Sequence, residues 1–263
     1  MNILVTNDDG IESPGIWALA ESLSKIGSVL LVAPDEQQSG VGTSISFSRK
    51  NTTIQETRSP IPGVMAFAVG GTPSDCVLLG LKRLKKGHID LIVSGINKGP
   101  NLGNDIPYSG TVMATLVGYF RKIPSMAISV AIQKEEEPIR FDVAARVALS
   151  LVASIQNNRY NINSIINVNI PNIPPGHIKG VLATRAAGFG YVRLGRAIDN
   201  GGSAGYDSIF GKPEQESLEE NTDVWAIGEG YISITPLQFD ITDHKGIPLI
   251  AECFKHVGDE LRD

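Results

Sequence analysis

Two carboxylates stand side by side at Asp8-Asp9, directly after the apolar run Ile3-Leu4-Val5-Thr6 and with no basic residue next to them in the chain. Adjacent carboxylates repel, and keeping both ionised at the end of a buried strand is costly unless a cation lies between them. Two readings compete: a turn closed by an Asx hydrogen bond ahead of the first helix, or a divalent cation held by oxygen. In the second case the ligands are carboxylates, a hydroxyl and an amide oxygen, a hard donor set that suits Mg²⁺ or Mn²⁺ better than Zn²⁺. The histidines, His88, His177, His244 and His256, are scattered without a pair at helical ligand spacing, which argues against a histidine-built zinc site.

A second chemistry is anion binding. Ser109-Gly110-Thr111 precedes the apolar helical stretch Val112 to Phe120. Backbone N–H groups at a helix start, with Ser and Thr hydroxyls beside them, cradle phosphate well; the same residues also make ordinary caps. The approach from Gly95 to Gly110 is rich in Gly and Asn, and ordering so flexible a stretch is entropically costly unless it holds something. Thr72-Pro73-Ser74-Asp75 fits a capping box with proline at the first helical position, so Asp75 reads as structural.

These residues need a frame. Apolar runs at Ile3 to Thr6, Val29 to Ala33, Ala66 to Val69, Leu91 to Ser94 and Met126 to Val130 alternate with helical patterns, the first capped by Ser13-Pro14 and closed by Gly27. Others start near Pro73, Thr111 and Phe141. That alternation predicts an α/β fold with a Rossmann-like, mostly parallel open sheet. Ligands in such sheets bind outside the carboxyl ends of the strands, where Asp8-Asp9, the Pro34 to Gly40 turn, Gly70 to Asp75 and Ser94 to Thr111 all fall. Ser39 to Thr57 predicts a hairpin at the sheet edge. Beyond Ile170 the chain is loop-rich with dense Pro and Gly; Val181 to Ala186 and Tyr231 to Thr235 read as strands and Pro248 to Leu261 as a terminal helix. Residues 1–170 thus read as the α/β core, and 171–263 as an extended, hairpin-rich part.

Composition narrows the function. Lys and Arg number 23 against 28 Asp and Glu in 263 residues, and this mildly acidic balance excludes a duplex nucleic-acid binder, which needs a basic face. Cys76 and Cys253 form no C-x-x-C pair and read as reduced core thiols. No apolar run reaches the roughly 18 residues that span a bilayer, and no signal-like start is present, so the expectation is a cytoplasmic protein with no membrane partner.

Several ordered motifs carry a family resemblance. Asn2-Ile3-Leu4-Val5-Thr6-Asn7-Asp8-Asp9-Gly10, Pro34-Asp35-x-x-Gln38-Ser39-Gly40, Gly71-Thr72-Pro73-Ser74-Asp75-Cys76 and Ser94-Gly95-Ile96-Asn97-x-Gly99-x-Asn101-Leu102-Gly103 together resemble the SurE (survival protein) nucleotidases. Tyr108-Ser109-Gly110-Thr111-Val112 and Gly230 to Leu237 extend the match over most of the chain. The resemblance implies a 5'-nucleotidase that needs one divalent metal per subunit, Mg or Mn, held by Asp8, Asp9, Ser39 and Asn97, and that hydrolyses nucleoside monophosphates with a metal-oriented water. It also implies phosphate contacts from Asn101, Ser109, Gly110 and Thr111, and a homodimer or homotetramer that exchanges a hairpin and a terminal segment, with Asp240 and His244 at the hinge. Asn104 and Met113-Ala114 depart from the family pattern, and 188–220 matches no motif. Asp8 and Asp9 are then the catalytic carboxylates in the role of ligands. An aspartyl-phosphate route is disfavoured, because its usual second Asp two residues on is Gly10 here. A short-chain polyphosphatase, a broad phosphomonoesterase, a Ca²⁺-dependent nucleosidase and a nucleotide-binding module without turnover are the rival readings.

Overall fold

The computed structural model describes residues 1–46, 52–83, 87–132, 138–158, 164–189, 197–199, 204–206 and 219–257. The elements in chain order are β1 (Asn2–Thr6), α1 (Pro14–Leu23), β2 (Ser28–Pro34), β3 (Ile54–Thr57), β4 (Met65–Val69), α2 (Pro73–Arg83), β5 (Leu91–Lys98), α3 (Gly110–Tyr119), β6 (Ser125–Ala131), α4 (Phe141–Asn158), β7 (Ile165–Pro171), β8 (Val181–Ala183), β9 (Ala197–Asp199), β10 (Ala204–Tyr206), α5 (Asp223–Gly228), β11 (Ile232–Leu237) and α6 (Ile247–Phe254).

A nine-stranded sheet runs β3-β4-β2-β1-β5-β6-β7-β11-β8, and β9 and β10 form a separate antiparallel pair. From β4 to β7 every pairing is parallel. The inner strands are buried on both faces, which is why they read as unbroken apolar runs instead of alternating ones. Helices α1 and α4 cover one face, and α2 and α3 the other. The chain builds outward from β1 through β2 to β4, then crosses back and builds β5, β6 and β7 on the other side. That reversal between β1 and β5 is the topological switch point, where the carboxyl ends of the strands leave a crevice.

The caps behave as read: Ser13 Oγ accepts from the Gly15 amide at 3.3 Å, and Thr72 and Asp75 exchange bonds at 2.9 and 3.2 Å. Two readings need correction. The edge hairpin is shifted along the chain, because it is β3 that pairs antiparallel with β4. Residues 39–46 form a loop instead, drawn in by Asp75, which accepts from the Ser46 amide and hydroxyl, and by Thr72, whose hydroxyl donates to Ser44 O at 2.6 Å; residues 47–51 lie outside the described residues. Cys253 is exposed, since α6 has no buried residue, whereas Cys76 is a buried thiol. The sequence pattern does not mark β7 as a strand; β7 extends the parallel core, and β11, where Tyr231 to Thr235 reads as a strand, pairs antiparallel with it and brings residues beyond 171 into the sheet. Most of 188–220 and the end of the proposed terminal helix, 258–261, lie outside the described residues.

Candidate functional site

The crevice is lined by the segments that leave the carboxyl ends of the strands. Just past β1, Asp8 is only 5 % exposed. Its Oδ1 accepts from the Thr111 hydroxyl at 2.5 Å and its Oδ2 from the Thr111 amide at 3.0 Å, so α3 is moored to the acid from 103 residues away. Burial raises the Asp8 carboxyl from 3.8 to about 6; the Thr111 hydroxyl opposes that, and the neighbouring Asp9 charge adds to it. Asp9 is half-buried, and its Oδ2 accepts from the Lys98 amide at 3.0 Å. Burial raises this carboxyl too, against the Lys98 amide and the Lys98 charge. The pair that looked isolated along the chain therefore has a cation near it in space.

Backbone bonds tie the segments that carry Ser39 and Asn97 to the pair. The Gln38 amide donates to the main-chain carbonyl of Asp8 at 2.7 Å, which holds the residue before Ser39 against β1's end, and Gln37 Nε2 donates to Ser39 Oγ at 2.9 Å. Asn97 precedes the Lys98 amide that binds Asp9. A β-bulge places it there: Ser94 opposes Ala127 on β6 while Asn97 opposes Ser129, so three steps on β5 match two on its neighbour. Only glycine fits at Gly95 in this bulge, since φ is 136° and a Cβ would lie 2.3 Å from Ile128 O. Asn97 Nδ2 donates to Gly99 O at 2.9 Å, which leaves its Oδ1 as an acceptor. Oδ1 of Asn7, beside the pair, is buried with no partner among the described residues.

This donor set fits a hard divalent cation. Among the described residues no three His, Cys, Asp or Glu side chains gather at one point, so a cation beside Asp8 and Asp9 would need neutral oxygen donors as well, of which Ser39 and Asn97 are carried by the segments bonded to the pair. A carboxyl held up at about 6 by burial is the group a cation would return to the ionised state.

The residues expected to bind an anion divide by their contacts. Ser109 Oγ caps α3 by accepting from the Val112 amide at 3.1 Å. Both polar groups of Thr111 face Asp8, so this residue orients the acid, a role its place at a helix start did not reveal. Gly110 sits against the acid: a Cβ there would come within 2.8 Å of Asp8 Cβ and 2.9 Å of Oδ2. Its amide donates to no protein acceptor among the described residues. Asn101 is buried, with Nδ2 donating to Ser129 Oγ at 2.8 Å and one amide hydrogen left over.

Asp223, also missed in the sequence, is fully buried at the start of α5 and accepts from the Gly103, Ala187 and Val224 amides at 2.8, 2.9 and 2.8 Å. It joins the site loop to the C-terminal part. Asp240 and His244 form an exposed pair at 2.7 Å, and that bond holds the Asp240 carboxyl below its usual range.

Comparison with known proteins adds to this geometry. The family model described as "Survival protein SurE" matches residues 3–192. The 5'-nucleotidase SurE of Dehalococcoides mccartyi strain CBDB1 is 44 % identical over 239 residues, covering 90 % of this chain and 88 % of the relative. That of Pelotomaculum thermopropionicum is 38 % identical and is covered end to end, as is this chain. The crystal structure of the SurE protein from Aquifex aeolicus superposes with a TM-score of 0.80 at 39 % identity, over 96 % of this chain and 99 % of the other.

Proposed function

The chain belongs to the SurE family, and on that footing we propose that it is a 5'-nucleotidase, hydrolysing nucleoside monophosphates to nucleoside and phosphate with one Mg²⁺ or Mn²⁺ per subunit. The observation that carries the proposal is the Asp8-Asp9 pair at the switch point, bonded to the backbone of the two segments that carry Ser39 and Asn97, with the Asp8 carboxyl pushed up by burial to about 6 beside the start of α3.

The residues that would hold the cation are Asp8, Asp9, Ser39 and Asn97. A divalent ion there would neutralise phosphoryl oxygens and orient a water for in-line attack. The chain's own contribution is positional. Thr111 fixes both oxygens of Asp8, which favours a ligand over an open nucleophile. The Gly110 amide, the remaining Asn101 amide hydrogen and the dipole of α3 offer donors to the phosphate, while Ser109 fixes where that helix begins.

We further propose that residues from 171 onward complete the sheet through β11 and supply an assembly surface. Ile247, Leu249, Ile250 and Phe254 of α6 are 52, 66, 57 and 58 % exposed, an apolar face that no described residue covers; a second copy of the chain covers it in a dimer or tetramer. No helix among the described residues is long and apolar enough to cross a membrane.

Incubating the full chain with AMP and Mn²⁺, with and without chelator, tests the activity. Free phosphate that disappears with chelator is the expected result. Free adenine would indicate glycosidic cleavage, and AMP binding without either product would indicate a module without turnover. A panel with short polyphosphates and simple phosphomonoesters sets the substrate class.

A further inference from the structure

Asn101 is gripped from beneath by β6 and β7. Ser129 and Asn169 face each other in register on these strands, and Asn167 lies two residues earlier on the same face of β7. Asn169 engages the Asn101 backbone at two points: Oδ1 accepts from the Asn101 amide at 2.9 Å, and Nδ2 donates to the Asn101 carbonyl at 3.0 Å. A side-chain amide here does what a neighbouring strand would do. Asn167 Nδ2 adds a second bond to the same carbonyl at 2.8 Å, and Ser129 Oγ takes the Asn101 side chain at 2.8 Å. Ser129, Asn167 and Asn169 are all at 0 % exposure.

A fully buried polar cluster of this kind is not needed to build a sheet. Apolar residues at these places would pack as their neighbours do, and polar side chains cost free energy there unless paired. Pairing is incomplete, since Oδ1 of Asn167 has no partner among the described residues. The common feature of the bonds is their target, a single residue in a loop flanked by Gly99 and Gly103, where an unheld Asn would sample many conformations.

We propose that Asn169 and Ser129 are positioning residues that preset the backbone and side chain of Asn101 for the phosphoryl group of the substrate. This rests on the reading of Asn101 as a phosphate contact.

The test is a double-mutant cycle on the full chain with AMP and Mn²⁺, using Asn101→Ala, Ser129→Ala, Asn169→Ala and the two doubles that contain Asn101→Ala. Melting temperature and Mn²⁺ titration are recorded for each. Asn169→Ala is expected to lower kcat/KM by about 100-fold, the scale of a misplaced binding group. Ser129→Ala, the milder change that leaves the strand intact, lowers it by about tenfold, the scale of one buried hydrogen bond. In the Asn101→Ala background each further loss is expected to stay under about threefold, because the residue acted upon is gone. Mn²⁺ affinity remains as in the wild type, since Asp8, Asp9 and Ser39 lie on other segments and Asn97 is held within β5 by its bulge against β6 and its own bond to Gly99 O. Equal losses in both backgrounds, or losses that follow melting temperature alone, overturn the proposal. Wild-type kcat/KM in Asn101→Ala removes that residue from the site and overturns it as well, while leaving the nucleotidase reading intact. If the wild type releases no phosphate, the nucleotidase reading fails instead, and the same cycle is read on calorimetric binding of inorganic phosphate, where additive losses again overturn the proposal.

Discussion

The Asp8 carboxyl makes stability without metal depend on pH in an unusual direction. Burial holds it at about 6 in the folded protein, against 3.8 for an ordinary aspartate. At ~1.36 kcal/mol per pH unit, that difference corresponds to about 3 kcal/mol. The folded value is raised, so the contribution is fully present below pH 3.8, where both states are protonated. It is lost as pH rises toward 6, because the unfolded chain ionises first and gains solvation that the folded chain lacks. Most titrating carboxylates do the reverse. The perturbation that isolates this group is Asp8→Asn in chelator, which removes the titration and changes hydrogen bonding by an amount independent of pH. Denaturant unfolding of both proteins from about pH 4 to 7.5 should show wild type losing about 2 to 3 kcal/mol relative to the variant, with the difference flat above about pH 6.5. Saturating Mn²⁺ should abolish the loss in wild type only, since a cation favours the ionised acid. Below pH 6 its binding should weaken about tenfold per pH unit as a proton is displaced. Parallel curves in chelator, or a wild type that gains on the variant as pH rises, would refute the claim that Asp8 is held ionised at a cost that the cation offsets.

Gly110→Ala puts a methyl 2.8 Å from Asp8 Cβ and 3.2 Å from Gln38 O, so both the acid and the Ser39 loop must shift; activity should fall about 100-fold with a melting temperature only a few degrees lower, measured on the same preparation. Thr111→Val removes the hydroxyl from Asp8 Oδ1 and keeps the helix cap from Ser109, so calorimetric Mn²⁺ affinity should drop about 10- to 100-fold with helix content unchanged by circular dichroism. Asp223→Ala strips the acceptor from the Gly103, Ala187 and Val224 amides and should destabilise by about 3 to 5 kcal/mol in denaturant titration, as breaking a buried polar network does. Leu249→Glu with Phe254→Glu should lower the mass found by light scattering without loss of secondary structure, because α6 contributes nothing buried to its own chain.

The parallel core was legible because each of its elements is encoded locally. The strands from β1 to β6 in the central stack are short apolar runs, and α1 and α2 announce themselves by Ser13-Pro14 and by the Thr72 to Asp75 box, whose bonds form as the spacing requires. What escaped is encoded by partners distant in sequence. β7 reads Ile-Ile-Asn-Val-Asn-Ile-Pro, and Asn is depleted in strands, so local preference points away from the structure it adopts. Its polar residues are explained only by the register that sets Asn169 beside Ser129 and beneath Asn101. The edge hairpin was misplaced because the Ser and Thr alternation in 39–57 mimics a strand, while the backbone of 44–46 is held by Thr72 and Asp75.

The site shows the same division between local and distant information. Acidic, hydroxyl and amide residues after successive strands could be collected from the sequence, because an open α/β sheet delivers its strand ends to one crevice whatever the side chains are. Their tasks could not be assigned in that way. Thr111 at a helix start looks like a cap, and a cap and an acid-orienting residue use the same hydroxyl; the difference lies in whether it accepts from an amide three residues away or donates to an acid 103 away, as it does to Asp8. Ser109 takes the cap, which frees Thr111 for Asp8. Cys253 fails for the complementary reason: an apolar helix normally marks a core, yet every residue of α6 lies outside this one. Hydrophobic pattern specifies that a face will be covered but not by which chain, so the feature that misled the reading of Cys253 is the same feature that argues for a second copy.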